Sequence, residues 1–522
     1  MIDDPIIAAI EDAEELPAPP SDRDLAYERR NDLGNARRLI SRHGDDLIFV
    51  EALGWAAWDG RRFSFHQGRR IADLRSQDTA ERIYDETEAL PKFTDQEPDA
   101  VEDAAAWQVW DERRKKHESQ KRGLREWATR SGNKGKLNAM VDLAAPHLTR
   151  DQSELDQRPL LLNCQNGTLD LSGGAGKSMQ LMKARRRDLL TRVCNCDYDP
   201  TADAPKWRQF VEEILPLQDV REFVQRWLGY CITGEASEQV IVYFEGAGAN
   251  GKSTLLEVVS DVIGDYEVTV PIETFLHQDR KGGADASPDL ARLPSARLVR
   301  ASEPEVGARL SESRIKQITG GENMTARRLY KDFFDFDPTF KLTLSVNIRP
   351  IIRGKDHGIR RRILVVPFTQ LFEASKTTRG EKFADRFADE MPGVLNWLLD
   401  GFEMWFEQGL DVPSDVSTAT EQYFAQQDPI GQFLAEATDR VEGDRVKSGA
   451  LYAAYKAWCR DYGEECKSQG IFGRRLSDMK LRKEKIGTVY YFDIRLKEEY
   501  KVAEPAGEHP GEPVGPGEPG DI

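Results

Sequence analysis

The chain has 522 residues, 39% hydrophobic and 31% charged, with a formal net charge of −17. It is long enough for several domains with proper cores, and it contains neither an apolar run of about 18 residues nor a basic-then-apolar leader, which argues against a membrane span or signal peptide and for a cytoplasmic protein. The six cysteines (Cys164, Cys194, Cys196, Cys231, Cys459, Cys466) form no C-x-x-C pair and read as free thiols in a reducing compartment.

The acidity is concentrated at the ends. Residues 1–22 hold Asp3, Asp4, Glu11, Asp12, Glu14, Glu15 and Asp22 with no base, and the last 22 hold Glu504, Glu508, Glu512, Glu518 and Asp521 against Lys501. The net charge therefore does not exclude a nucleic-acid partner. With Pro17, Pro19 and Pro20, residues 1–22 read as a disordered acidic leader. Residues 23–200 read as a mixed α+β N-terminal domain. Within it, 55–65 suggest a hairpin turning at Asp59-Gly60, and 100–131 a long charged helix carrying Trp107, Trp110 and Trp127. Its bases Arg114, Lys115, Lys116, Lys121 and Arg122, with Lys134 and Lys136, read as a solvated helix face or, alternatively, as contacts to a phosphate backbone. Residues 159–171 read as strand, Asn166-Gly167 turn, strand. Gly173 to Ser178 (GGAGKS) imitates a phosphate loop, but Leu171 stands where its first glycine would be and no buried strand feeds it; it reads as a flexible loop. Residues 207–215 and 220–232 have helical amphipathic spacing.

Residues 239–263 (QVIVYFEGAGANGKSTLLEVVSDVI) are the most informative stretch. An apolar run, 240–244, predicts a buried strand, and Leu255, Leu256, Val258, Val259, Val262 and Ile263 predict a helix. Between them Gly246, Ala247, Gly248, Ala249, Asn250, Gly251, Lys252 and Ser253 match G-x-x-x-x-G-K-[ST] at every fixed position, with Thr254 following. Glycines let main-chain N–H groups face a phosphate, Lys252 reaches the β- and γ-phosphates, and Ser253 offers a hydroxyl to Mg²⁺. ATP with Mg²⁺ is the expected ligand.

Residues 297–305 (RLVRASEPE) predict a strand ending in Glu303 and Glu305, two carboxylates on one side, one for the metal shell and one to activate water. Residues 341–346 alternate and end at Asn347, an amide placed to sense the γ-phosphate. Between them Arg327, Arg328 and Lys331 sit among Tyr330, Phe333 and Phe334, the basic-aromatic mixture suited to single-stranded DNA. Arg360, Arg361 and Arg362 precede an apolar strand and are candidates for an arginine finger acting in a neighbouring subunit, or for a plain phosphate-binding surface. Residues 383–408 read as helical and 411–420 as a linker. Residues 449–461 and 468–480 read as helices and 483–493 as a hairpin turning at Gly487: helix, helix, wing, with Arg474, Arg475, Lys483 and Lys485 as DNA contacts. The Pro/Gly/Glu tail, 501–522, reads as disordered.

The order of these features, the glycine loop, SEPE, TGGENMTARRLY, TLSVN and IRRRI…PF, resembles superfamily 3 helicases, most closely the phage/plasmid primase–helicase family related to the poxvirus nucleoside triphosphatase. DPIGQFL, LYAAYKAWC and IFGRRL in the C-terminal part are similar to that family too. The resemblance implies an α/β fold: an AAA+-like P-loop ATPase core (201–375), a helical linker (376–427) and a winged-helix DNA-binding domain (428–500). It also implies a homohexameric ring around single-stranded DNA, with an arginine finger at Arg361 or Arg362 and a separate primase as a further partner. Family members often have Trp where Arg360 stands. No primase acid cluster or zinc motif is visible, so primase activity is not expected of this chain. The alternatives are an ATPase switch without translocation and an origin- or operator-binding protein acting through its winged helix.

Overall fold

The computed structural model describes residues 20–174, 179–277, 288–301, 303–305, 307–328, 332–352, 357–372, 383–462 and 465–501. Nearly all of the acidic leader, the centre of the GGAGKS segment, Tyr330 and Lys331, and the tail after Lys501 lie outside them. The described chain is mixed α/β and forms two compact units: Met1–Pro350 with Asp356–Val416, and Ile351–Lys355 with Ser417–Ile522.

Order in the first unit begins inside the segment read as leader, where Ser21 caps a one-turn helix, Asp22–Leu25. Strands β1 (Leu47–Val50), β2 (Gly54–Trp58) and β3 (Phe63–Ser64) form an antiparallel sheet, and the expected Asp59-Gly60 turn is present, with Gly60 at φ 97°. Helices Asp32–His43, Gly68–Ala89 and Lys134–Ala144 pack around it, while Ala104–Ser131 packs through Leu124 and Ala128 against Ile83 of the helix Gly68–Ala89. Two bases of the long helix are occupied locally, Arg114 and Lys115 both pairing with Asp111, at 2.8 and 2.7 Å, and on the next helix Lys136 pairs with Asp32 at 2.8 Å. A second small sheet holds β4 (Leu161–Cys164), β5 (Gly167–Asp170) and β6 (Gln180–Met182). Because Cys164 pairs with Gly167, its tight turn is Gln165-Asn166, one position earlier than expected.

The centre of the unit is a five-stranded parallel sheet in the order β13–β7–β12–β9–β8. Its strands are β7 (Ile241–Glu245), β8 (Glu267–Val270), β9 (Leu298–Ala301), β12 (Lys341–Val346) and β13 (Ile363–Pro367). β10 (Met324–Arg327) and β11 (Phe333–Phe336) form a separate antiparallel hairpin. Strands buried on both faces need continuous apolar runs, as β7 has. The covering helices come from both ends of the sequence: Pro205–Ile214 and Gln218–Cys231 from upstream, Lys252–Ile263 from within, and Met391–Gln408 from downstream share one core. Gly229 and Gly401 let two of them touch backbone to backbone; a Cβ at Gly229 would lie 2.1 Å from Phe402 N, and one at Gly401 2.2 Å from Gln225 O.

Lys341, at the start of β12, is buried. Its ammonium donates to the carbonyls of Thr233, Glu235 (3.1 Å) and Thr339 (3.3 Å) and lies 4.7 Å from the Tyr230 ring centre. Burial pushes its pKa down to about 7; Arg297 pushes the same way, while Cys231 and Glu235 oppose. The unfolded lysine keeps its proton to about pH 10.4. Below pH 7 both states are protonated and the cost of the buried charge is full; between about 7 and 10.4 the unfolded state binds more protons, so this residue's contribution to stability rises with pH. The thermal midpoint of wild type relative to Lys341→Met is expected to climb between pH 7 and 9.5, and a pH-independent difference would contradict the assignment.

The second unit has its own apolar core. Helices Pro429–Ala437, Ser448–Tyr462 and Gln469–Asp478 pack with β14 (Thr438–Asp439), β15 (Arg445–Lys447), β16 (Lys483–Ile486), β17 (Thr488–Phe492) and β18 (Arg495–Leu496). The expected hairpin turns at Gly487, φ 70°. The segment read as a linker at 411–420 is largely helical, part of Ser414–Gln426, with Val416, Ala419 and Tyr423 buried.

Candidate nucleotide-binding site

Strand β7 ends at Glu245 and the helix Lys252–Ile263 begins seven residues later, so the glycine loop is the strand-to-helix connection that its sequence implies. Gly248 (φ 96°) and Gly251 (φ 83°) hold the left-handed backbone that turns the loop. A Cβ at Gly251 would strike Ile214 Cγ2 at 2.4 Å, whereas one at Gly248 would meet nothing within 4 Å and would project from the open side of the loop. No side chain caps the helix, which leaves first-turn N–H groups for a ligand.

Lys252 is 3% exposed. Its Nζ donates to Gly246 O (2.8 Å), Asn250 Oδ1 (2.9 Å) and Asn347 Oδ1 (3.1 Å). Burial pulls this ammonium below its ordinary range, against the opposing pull of Glu303 and Glu245. β12 lies between β7 and β9 in the sheet, so Asn347, one residue past its end, stands between the loop and the acids. Its main-chain N donates to Glu303 Oε1 (3.2 Å) and its Nδ2 to Glu303 Oε2 (3.0 Å). Lysine, amide and carboxylate thus form a continuous chain across three adjacent strand ends.

The expected strand reaching Glu303 and Glu305 stops at Ala301. Pro304 sits between the two acids, and strand alternation does not govern them. Glu305 is exposed, and its carboxylate makes no hydrogen bond to a described residue; the structure brings one acid into the chain, not two. Sequence reasoning missed Arg349 and Glu245: Arg349 Nη2 donates to Glu245 Oε2 at 2.6 Å, with its Nε on the other oxygen. Arg349 follows Asn347 by two positions and Glu245 closes β7, but nothing local in the sequence pairs them.

The site fits a nucleotide phosphate with its metal. The loop is open at Gly248, and Asn250 Nδ2 is buried without a hydrogen-bond partner. Ser253 is exposed at the helix start, and Thr254, one turn position on, is half-buried.

Arg361 and Arg362 stand elsewhere. Ile363 pairs with Ile241 at the start of β7, so both arginines lie at the N-terminal edge of the sheet. Five residues at about 3.3 Å rise separate that edge from the glycine loop by roughly 16 Å. Arg361 Nη2 donates to Gln239 Oε1 (3.2 Å), and Arg362 Nε to Thr319 Oγ1 (3.0 Å). On the hairpin, Arg327 lies 5.0 Å from the ring centre of Phe333, which is 51% exposed, while Arg328 lines a cavity at the hairpin's flank. In the second unit Arg474, Lys483 and Lys485 are exposed, but Arg475 is committed to Asp428, with Nε at 3.0 Å from Oδ2.

Three family models match the chain: D5 N terminal like over residues 36–216, a family of unknown function (DUF5906) over 244–362, and Poxvirus D5 protein-like over 425–503. A helicase-named protein of Acanthamoeba polyphaga mimivirus, L207/L206, is 29% identical over 357 residues, 64% of this chain and 36% of that protein. A helicase-named protein of Frog virus 3 is 25% identical over 52% of this chain and 30% of its own length. The primase-named C962R of African swine fever virus is 25% identical over 40% of this chain and 22% of its own length. The chain thus spans about a third or less of these relatives. A solved structure of the NrS-1 C terminal region aligns over 57% of this chain and 78% of its own, at 12% identity and a TM-score of 0.39. No described helix is long and apolar enough to cross a membrane.

Proposed function

We propose, from the premise that this chain belongs to the D5-like primase–helicase family, that it is an ATP-driven DNA helicase of superfamily 3 type serving replication of a phage, prophage or plasmid. The observation that carries the reading is the Lys252–Asn347–Glu303 chain beside the glycine loop.

In this reading residues 201–375 are the AAA+-like P-loop core. The loop N–H groups and Lys252 hold the phosphates of ATP, and Ser253 and Glu303 hold Mg²⁺. The metal, when bound, neutralises phosphate oxygens. Glu303 orients the attacking water, with exposed Glu305 as a second carboxylate nearby. Asn347 touches both Lys252 and Glu303, so it can report the presence of the γ-phosphate to both. A ring, a hexamer in our reading, supplies Arg361 or Arg362 from the next subunit. Arg327 with exposed Phe333, and Lys331, grip a single strand. A strand-displacement assay with 5′- and 3′-tailed duplexes tests this: ATP-dependent unwinding of one tail polarity is expected, and DNA-independent ATP turnover without unwinding of either would favour a switch.

Residues 428–500, with helices Ser448–Tyr462 and Gln469–Asp478 ahead of the β16–β17 hairpin, we assign as a winged helix. Lys483 and Lys485 lie two apart on one strand and share a face. Lys483→Glu with Lys485→Glu is expected to weaken DNA binding about tenfold and to lower the salt slope by about 1–2, leaving basal ATPase unchanged. Unchanged binding on single- and double-stranded DNA would make this module a protein dock.

A further inference from the structure

At the far end of the helix Lys252–Ile263 lies a cavity of about 780 Å³, within the 300–1,000 Å³ that nucleotide-sized ligands occupy. Twelve residues at about 1.5 Å rise put it roughly 18 Å from the glycine loop. Its wall brings together Arg62 and His66 from the N-terminal sheet region, Gln152, Arg192, Arg292, and Arg328 from the hairpin.

The wall also holds two acids, Asp265 and Glu267. Both are engaged: Asp265 pairs with Arg62, and Glu267 with Arg300 at 2.9 Å. The other three guanidinium groups have no carboxylate partner among the described residues. Arg192 donates to the carbonyls of Asp265 (2.8 Å), Pro294 (2.7 Å) and Arg292 (3.4 Å), and Arg292 to that of Thr269 (3.1 Å). Arg328 makes no hydrogen bond or ion pair with any described residue. Burial pulls both Arg328 and Arg192 below the ordinary arginine range; around Arg192, Asp156 opposes this and Arg62 and Arg292 add to it. The Gln152 side chain has both Nε2 and Oε1 shielded without a partner. Partly desolvated cations and an unsatisfied amide are costly unless a ligand completes them.

We propose that this cavity binds a phosphate-bearing ligand, held by Arg192, Arg292 and Arg328 with Gln152 completing the polar wall, at a site separate from the glycine loop. Ligand there would bridge the hairpin to the N-terminal sheet. The phosphate can come from a strand backbone or from a free polyphosphate, and the two probes below separate these.

The test uses the full chain carrying Lys252→Ala, to weaken the glycine loop, titrated by calorimetry at low salt with a ten-residue oligothymidylate and with inorganic pyrophosphate. At least one probe is expected to bind. Adding Arg292→Glu or Arg328→Glu should weaken binding tenfold or more, whereas Arg328→Lys should retain most of it. Oligonucleotide binding alone identifies a strand backbone; pyrophosphate binding identifies free phosphate chemistry. Should Arg328→Glu fail to fold, Arg292→Gln, at an exposed position, makes the same comparison. Binding lost on Arg327→Ala but unaltered by Arg292→Glu would overturn the cavity and leave the strand-gripping hairpin intact. Binding of neither probe would overturn it too.

Discussion

Lys252→Ala protein is expected to fold as wild type and to hydrolyse ATP about 10²–10³-fold more slowly. Its ammonium is held at the loop by bonds to Gly246 O, Asn250 Oδ1 and Asn347 Oδ1. Removing it deletes phosphate counter-charge but also relieves a buried charge, so the fold should survive. Steady-state phosphate release within threefold of wild type would remove the glycine loop from the mechanism. Glu303→Gln is expected to retain nucleotide and to lose turnover for two reasons. It loses a carboxylate, and it turns an amide NH₂ toward the Asn347 donors that Glu303 now accepts. Glu305→Gln, with no such partner, should be milder.

The second large effect is at the arginines. A finger supplies positive charge as the transferring phosphoryl group spreads its negative charge, worth on the order of 10³ or more in rate. With Arg361 and Arg362 about a strand length from their own glycine loop, either can complete the clamp only for a neighbour. Arg361→Ala or Arg362→Ala should therefore bind ATP normally and hydrolyse almost none. Mixing that protein with Lys252→Ala should restore part of the activity, because some interfaces then join an intact pocket to an intact arginine. Mixed assemblies confirmed by native mass, with no recovered hydrolysis for either variant, would exclude a finger acting between subunits.

The glycine loop, β7, β12 and Asn347 were legible because each is local. A buried strand needs a continuous apolar run, and a tight phosphate loop needs glycines at fixed spacing. The resemblance to the primase–helicase family followed from the order of these motifs. What the sequence hid was long-range. The Glu245–Arg349 pair joins residues 104 positions apart, and no local period announces it. Glu303 and Glu305 look equivalent in S-E-P-E, but strand pairing stops at Ala301 and only Glu303 meets Asn347. Arg475 looks as free as Arg474 until the fold brings Asp428 against it.

The shared core of upstream and downstream helices bears on how the chain can be dissected. The matched stretch 244–362 looks like a portable unit, yet the helices that cover its sheet are Gln218–Cys231, before it, and Met391–Gln408, after it, locked together where Gly229 meets Phe402. A fragment trimmed to the motif boundaries would present Trp227, Leu398 and Phe402 or their bare docking surface to solvent. The smallest piece that keeps this core whole starts at β4, whose Leu162 and Cys164 belong to it, and runs through Val416; a fragment cut by motif alone is expected to expose that apolar surface and lose solubility.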